Sequence, residues 1–98
     1  MTFDQTAQSL FTVAEVIIYT TAWCGYCRAA KRLLDSKGID YQDIDVDGDQ
    51  EKRAWLREVT GRHTVPQIFI EGKPYGGYDD INALDPRGEL DPLLGLTS

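Results

Sequence analysis

Several things are scarce in this chain. Its 98 residues include two cysteines, one histidine and one methionine. A structural zinc site takes about four nitrogen or sulfur ligands, so two cysteines and His63 do not complete one within a single chain. Bases are outnumbered: 10 Lys and Arg stand against 16 Asp and Glu, giving a net charge of −6 and a pI near 4.5. A nucleic-acid binder carries a basic face, so this balance argues against that class. No apolar run reaches the ~18 residues that span a bilayer. The N-terminal MTFDQTAQSLFTVAE lacks the positive n-region and unbroken apolar core of a signal peptide. Repeats, linkers and low-complexity tracts are missing too. A cytoplasmic protein without nucleic-acid or membrane partners is expected. Its hydrophobic share of 42% supports one small core and not two domains.

The charge that is present is unevenly spread. Arg28, Lys31, Arg32 and Lys37 fall within ten residues that hold one acid, Asp35. Asp40, Asp43, Asp45, Asp47, Asp49 and Glu51 then follow without a base. Both cysteines sit beside the basic run, in TTAWCGYCRAAKRLL, as a CxxC pair. In a reducing compartment such a pair is more often catalytic or metal-binding than a permanent staple.

Residues 1–14 are mildly amphipathic, with Phe3, Ala7, Leu10 and Phe11 at helical spacing, and read as an extension ahead of a domain over 15–98. EVIIYT at 15–20 reads as a buried strand. TAWCGYC turns into a helix whose apolar stripe is Ala30, Leu33 and Leu34, stopped by Gly38. IDYQDIDV at 39–46 reads as a second strand, with Ile39, Tyr41, Ile44 and Val46 inward. A second helix is expected over 49–60, capped by Asp47 or Asp49, with Ala54, Trp55, Leu56 and Val59 as its apolar residues. TVPQIFIEGKPYGG supplies a strand, a turn at residues 71–74 and a short further strand. A third helix starts between Gly77 and Asp80 and runs to about Leu84. PRGELDPLLG adds one more turn, with Leu90, Leu93 and Leu94 packing back. The order β-α-β-α-β-β-α implies an α/β fold, a mixed four-stranded sheet flanked by helices, begun by a right-handed βαβ unit.

A CxxC at the strand-to-helix junction of a βαβ unit reads as a thioredoxin-like redox motif. The attacking species in disulfide exchange is the thiolate. Cys24 falls at the start of the helix, where free N–H groups and the helix dipole favour a negative sulfur, and Arg28, Lys31 and Arg32 add positive potential. Cys27, one turn further in, is expected to keep its proton longer. Cys24 then attacks a disulfide and Cys27 resolves the mixed disulfide. Trp23 is expected to be a partly exposed packing residue beside the pair, and His63 a surface or packing residue.

Two further segments stand out. Pro66 precedes a strand, so it is either a strand-entry proline or a cis-proline. The cis form leaves the Val65 N–H and C=O free to pair with an extended peptide. GGYDD at 76–80 allows close backbone approach and starts a helix whose N–H groups can hold a carboxylate, while Asp79 and Asp80 can hold an ammonium. A plain helix cap explains Asp79 equally well.

Over about residues 15–95 the motifs VIIYT, CGYC, LLDSKGI, GRHTVPQIFI, GGYDD and LDPRGELDPLL together resemble the glutaredoxin family, specifically its bacterial dithiol members. The resemblance implies a thioredoxin fold. It also implies reduction of protein disulfides and glutathione mixed disulfides with glutathione as reductant. Cys24 would be the nucleophile and Cys27 the resolving cysteine. Glutathione would meet Tyr26, Thr64, Val65, Pro66, Gly77, Tyr78 and Asp79, with Arg53 or Arg57 near its glycine carboxylate. Partners would be glutathione and disulfide-containing or glutathionylated proteins, and the state a monomer. Three positions depart from the family pattern. Gly25 replaces the motif proline, Thr21 stands where a lysine is frequent, and Trp23 resembles mycoredoxins, which serve mycothiol. Members without the motif proline sometimes hold a [2Fe–2S] cluster across a dimer. That makes a cluster dimer ligated by Cys24 and glutathione one alternative. A reductase fed by mycothiol or thioredoxin reductase is the other.

Overall fold

The β-branched run Val16–Thr20 forms β1, the hub of the sheet. The computed structural model describes residues 14–96. The amphipathic segment expected at the N-terminus lies, apart from Ala14, outside the described residues. Three more strands follow: β2 (Gln42–Asp45), β3 (Gln67–Ile70) and β4 (Lys73–Gly76). The sheet order is β2-β1-β3-β4, with β1 parallel to β2 and antiparallel to β3, and β3 antiparallel to β4. Helices α1 (Gly25–Ser36), α2 (Gln50–Thr60), α3 (Tyr78–Leu84) and α4 (Leu90–Leu93) complete the described chain. The mixed four-stranded α/β architecture expected from the pattern is the one observed.

Alternation along the strands builds a core on each face of the sheet. Val16, Ile18, Ile68 and Ile70 meet Ala30, Leu34, Ile81, Leu90 and Leu94 on one face. Tyr19 and Phe69 meet Val46 and Leu56 on the other. All four residues of β3 are buried, as befits an interior strand covered on both sides.

Local signals end the elements. Gly38 has φ 71°, its N–H bonds to the Asp35 carbonyl, and the Ile39 N–H bonds to the Leu34 carbonyl. This double bond pattern closes α1 and leaves Ile39 packed in the first core. Asp49 caps α2 by accepting the Lys52 N–H at 3.0 Å, and Gly61 ends that helix with φ 74°. Glu71 and Gly72 both have positive φ, the signature of a two-residue primed hairpin turn between β3 and β4. Pro74 sits in β4, an edge strand, where a missing N–H donor is tolerated.

Two expectations need correction. The strand expected over 39–46 is shorter, because Ile39 is used in closing α1 and only Gln42–Asp45 pair with β1. Its apolar residues also divide between the faces: Tyr41 packs on the first core, Ile44 and Val46 on the second. On α2, Leu56 is buried, but Ala54 and Val59 are exposed and Trp55 keeps 41% of its surface. Leu56 is the one residue of α2 in the second core cluster among the described residues, so the flanks of that helix stay open to water. Trp55 still stacks on Phe69, with centroids 5.8 Å apart, and meets the Tyr19 ring edge-on at 5.7 Å.

Ile68 is fully buried at the centre of the sheet. Ile68→Ala is expected to cost about 2–5 kcal/mol in urea unfolding, with little change in the denaturant slope.

Candidate active site

The site forms where β1 ends, β3 begins and β4 ends. Tyr19 is paired with Gln67 and Ile68 with Gly76, so the segments after Thr20, before Gln67 and after Gly76 emerge at one end of the sheet. These are the three segments singled out in the sequence: CGYC, TVP and GGYDD.

Cys24 is the N-cap of α1, in extended conformation. Its Sγ accepts the Cys27 N–H at 3.1 Å, taking the position that a serine or aspartate oxygen fills in an ordinary cap. Its thiol also lies 3.8 Å from the Val65 carbonyl, within reach as a weak donor. Cys27 is 1% exposed. Burial, followed by its hydrogen bond with Cys24, pushes the Cys27 thiol up to about 12. Both cysteines are free. The pair is therefore unequal. One sulfur is only partly buried and receives a backbone N–H; the other keeps its proton inside the fold.

The positive patch is smaller than the sequence suggests. Lys31 forms a 2.5 Å ion pair with Asp43 of β2, which also accepts the Thr20 hydroxyl at 2.6 Å. The pair holds the Lys31 ammonium above its ordinary range. Burial opposes charge on Asp43, but the bonds from Lys31 and Thr20 outweigh it and hold its carboxyl below the usual range. Arg28 and Arg32 remain exposed on α1. Trp23 also differs from expectation. It is 92% exposed and does not pack beside the cysteines, because the turn leading into α1 carries it away from both cores.

The Val65–Pro66 bond is cis. Thr64 is exposed, Val65 is half-buried against Cys24, and Pro66 is buried. Gly77 abuts this loop: a Cβ on it would stand 3.3 Å from the Pro66 carbonyl oxygen. The rings of Tyr26 and Tyr78 lie 6.4 Å apart and link CGYC to GGYDD. Asp80, one of two acids considered for an ammonium, is engaged within the protein. It accepts the Gly77 N–H at 2.8 Å and pairs with Arg62 at 2.7 Å. Those bonds, Arg62 first, hold its carboxyl below the ordinary range. Asp79 beside it is exposed. Gly76, with φ 96°, is constrained too, since a Cβ there would collide with the Asp80 carboxylate. Arg53 bonds the His63 carbonyl at 3.0 Å, bracing the approach to Thr64, while Arg57 is exposed. Sequence reasoning missed Arg62 and Gln67, which tie this loop. Their signal was position alone, either side of TVP. A Cβ at Gly25 meets nothing within 4 Å, so packing does not demand a glycine in the motif.

A half-buried sulfur capping a helix, a buried partner one turn on, and a cis-proline loop in contact with the first sulfur define a thiol–disulfide oxidoreductase of the thioredoxin fold. The chain belongs to the glutaredoxin family, whose model matches residues 16–75. It is 52% identical over 82 residues to glutaredoxin 3 of Escherichia coli strain K12, covering 84% of this chain and 99% of that protein. Against a glutaredoxin of Pseudomonas aeruginosa the identity is 54% over 79 residues, covering 81% and 94%. The crystal structure of a buckwheat glutaredoxin–glutathione complex superposes with a TM-score of 0.79 at 36% identity, covering 92% of this chain and 84% of that one. The solution structure of a Brucella melitensis glutaredoxin gives 0.77 at 46% identity, covering 86% and 91%.

Iodoacetamide at neutral pH is expected to modify Cys24 at least about tenfold faster than Cys27, read by peptide mass mapping. Comparable rates would contradict the asymmetry. Gly76→Ala is expected to lose about 1–3 kcal/mol in urea unfolding through its positive φ and the Asp80 collision. Gly25→Ala, in open space, stays within about 0.5 kcal/mol of wild type.

Proposed function

We propose that this protein reduces protein disulfides and glutathione mixed disulfides, with glutathione as the electron source. The observation that carries this reading is the convergence of Cys24, Val65 and Gly77 at one end of the sheet. A cysteine-containing peptide lying along Val65 presents its sulfur to Cys24 and its N-terminal side to the GGYDD segment. Glutathione is such a peptide, with a zwitterionic head. The relatives named above, one of them solved as a glutathione complex, support the same reading.

Cys24 attacks the glutathione sulfur of a mixed disulfide, and the client thiol leaves with a proton. Cys24 is then disulfide-bonded to glutathione. A second glutathione thiolate attacks the bound glutathione sulfur, releasing oxidised glutathione and restoring Cys24. With a protein disulfide, Cys24 attacks one client sulfur and Cys27 then attacks the Cys24 sulfur, releasing the reduced client and closing an internal disulfide. Cys27 must give up its proton in that step, and its burial keeps it inert until then.

In this reading Tyr26 flanks the bound tripeptide. Val65 pairs with its backbone, with Thr64 beside it and cis Pro66 holding the loop, and Gly77, Tyr78 and Asp79 receive the γ-glutamyl head. Arg57 is the freer base for the glycine carboxylate, since Arg53 already bonds the His63 carbonyl. The domain would span residues 15–98 and act as a monomer in the cytoplasm. Among the described residues no helix is long and apolar enough to cross a membrane. A [2Fe–2S] cluster between two copies would draw on Cys24, the sulfur that exchange chemistry needs. The family match and the glutaredoxin relatives support thiol–disulfide exchange as the favoured role.

The test is turnover of a glutathione mixed disulfide with glutathione, glutathione reductase and NADPH. Cys24→Ser is expected to reduce turnover to background. Cys27→Ser is expected to retain deglutathionylation and lose the dithiol route to protein disulfides. Full activity in Cys24→Ser, or wild-type turnover seen only with mycothiol or thioredoxin reductase, would overturn the assignment.

A further inference from the structure

Gln67 is a polar side chain that the chemistry above does not use. It is fully buried on β3, on the face it shares with Phe69. Its Nε2 donates to the Thr64 carbonyl at 2.9 Å. Its Oε1 is buried and has no hydrogen-bond partner among the described residues. Turning the amide over gives no relief, because Oε1 would then face the Thr64 carbonyl, acceptor against acceptor. A buried carbonyl without a partner destabilises a fold, and an apolar side chain of the same length avoids that cost. The side chain's one bond within the described residues goes to the segment that leads into Val65.

Its single bond holds the residue next to Val65. The segment leading there is tied at each step. The Arg62 N–H bonds the Thr60 hydroxyl at 3.1 Å, and the His63 carbonyl takes Arg53 at 3.0 Å. The Thr64 carbonyl takes Gln67 from inside the sheet. The Arg62 side chain continues the chain of contacts to Asp80, and Asp80 to the Gly77 N–H. The Val65 loop and the start of α3 thus hang on one braced segment, and Gln67 is its buried anchor.

We propose that Gln67 is a positioning residue for glutathione: by holding the Thr64 carbonyl, it sets the direction of the Val65 peptide groups that pair with the bound tripeptide. This rests on the glutathione reading of the site. The one side-chain bond of Gln67 goes to Thr64 and not to either cysteine, so this residue acts on binding more than on exchange.

Gln67→Met preserves length and removes both the tie and the unmet carbonyl. The expected result is a KM for a glutathionylated peptide raised about 3- to 10-fold, the equivalent of one lost hydrogen bond, with kcat within about 2-fold of wild type. The thermal midpoint is expected to be unchanged or higher. An unchanged KM, or a kcat and midpoint that fall together, would overturn the proposal. Failure of the wild type to turn over the same peptide would instead sink the glutathione reading. If Gln67→Met does not fold, Cys27→Ser carrying glutathione on Cys24 decides the matter. The side-chain amide resonances of Gln67 are expected to shift relative to the unloaded protein, and unshifted resonances would overturn the role.

Discussion

The antiparallel register of β1, β3 and β4 is the constraint on which the site depends. Tyr19 stands opposite Gln67, and Ile68 opposite Gly76. That pairing brings the ends of three strands together, although their segments lie far apart in the chain. A one-residue slip of β3 would turn Ile68 and Ile70 out of one core and Phe69 out of the other, so burial on both faces holds the register. The two-residue turn at Glu71 and Gly72 sets the Ile70–Lys73 and Phe69–Pro74 pairs, and a bulge at Tyr75 then shifts the register by one so that Gly76 stands opposite Ile68. Hydrophobic burial thereby fixes where the nucleophile meets the loop that faces it.

Within that frame, two chemically identical side chains become different. Cys24 ends the extended approach to α1 and caps the helix with its sulfur. Cys27 is carried by the first turn into the interior, where burial outweighs the Thr21 backbone and the Lys31 charge and disfavours a thiolate. The same spacing that keeps the sulfurs within one helical turn thus separates an accessible attacking group from a reserve one. Cation placement contributes less than the run of bases suggests, because the acidic β2 draws Lys31 into an ion pair.

The loop opposite Cys24 follows a different rule from the core. The apolar clusters are close to a pattern that stability alone would choose. The segment from Thr60 to Gln67 instead contains exposed bases, a cis peptide and a buried amide whose oxygen has no partner among the described residues. Natural folds commonly depart from the stability optimum where a binding surface has to be held in shape. Asp80 shows the same economy. Its carboxylate caps the backbone at Gly77 and anchors Arg62, so the helix start and the loop are held by one charge.

Much of this protein was legible in the sequence. β-branched and aromatic runs marked the strands, Gly38 and an aspartate at 47 or 49 marked helix ends, and the CxxC pair between a strand and a basic helix announced redox chemistry. These signals are local: each depends on residues within a turn or a strand of one another, so no knowledge of distant contacts is needed to read them. Proline and glycine chemistry singled out TVP and GGYDD, and the family resemblance supplied glutathione as their ligand. What sequence could not supply were the contacts across the fold. Trp23 and Trp55 are the same residue type in similar apolar settings, yet one is left in water and the other stacks on Phe69, because only the second lies over a sheet face. Lys31 was counted with Arg28 and Arg32 until β2 brought Asp43 beside it. Asp80 looked like a ligand group until Gly77 and Arg62 were found to occupy it. Local propensity and motif chemistry were written in neighbouring residues. Burial, ion pairing and the bracing of the Val65 loop were decided by tertiary structure, because each depends on which distant residue the folded chain brings within a few ångströms.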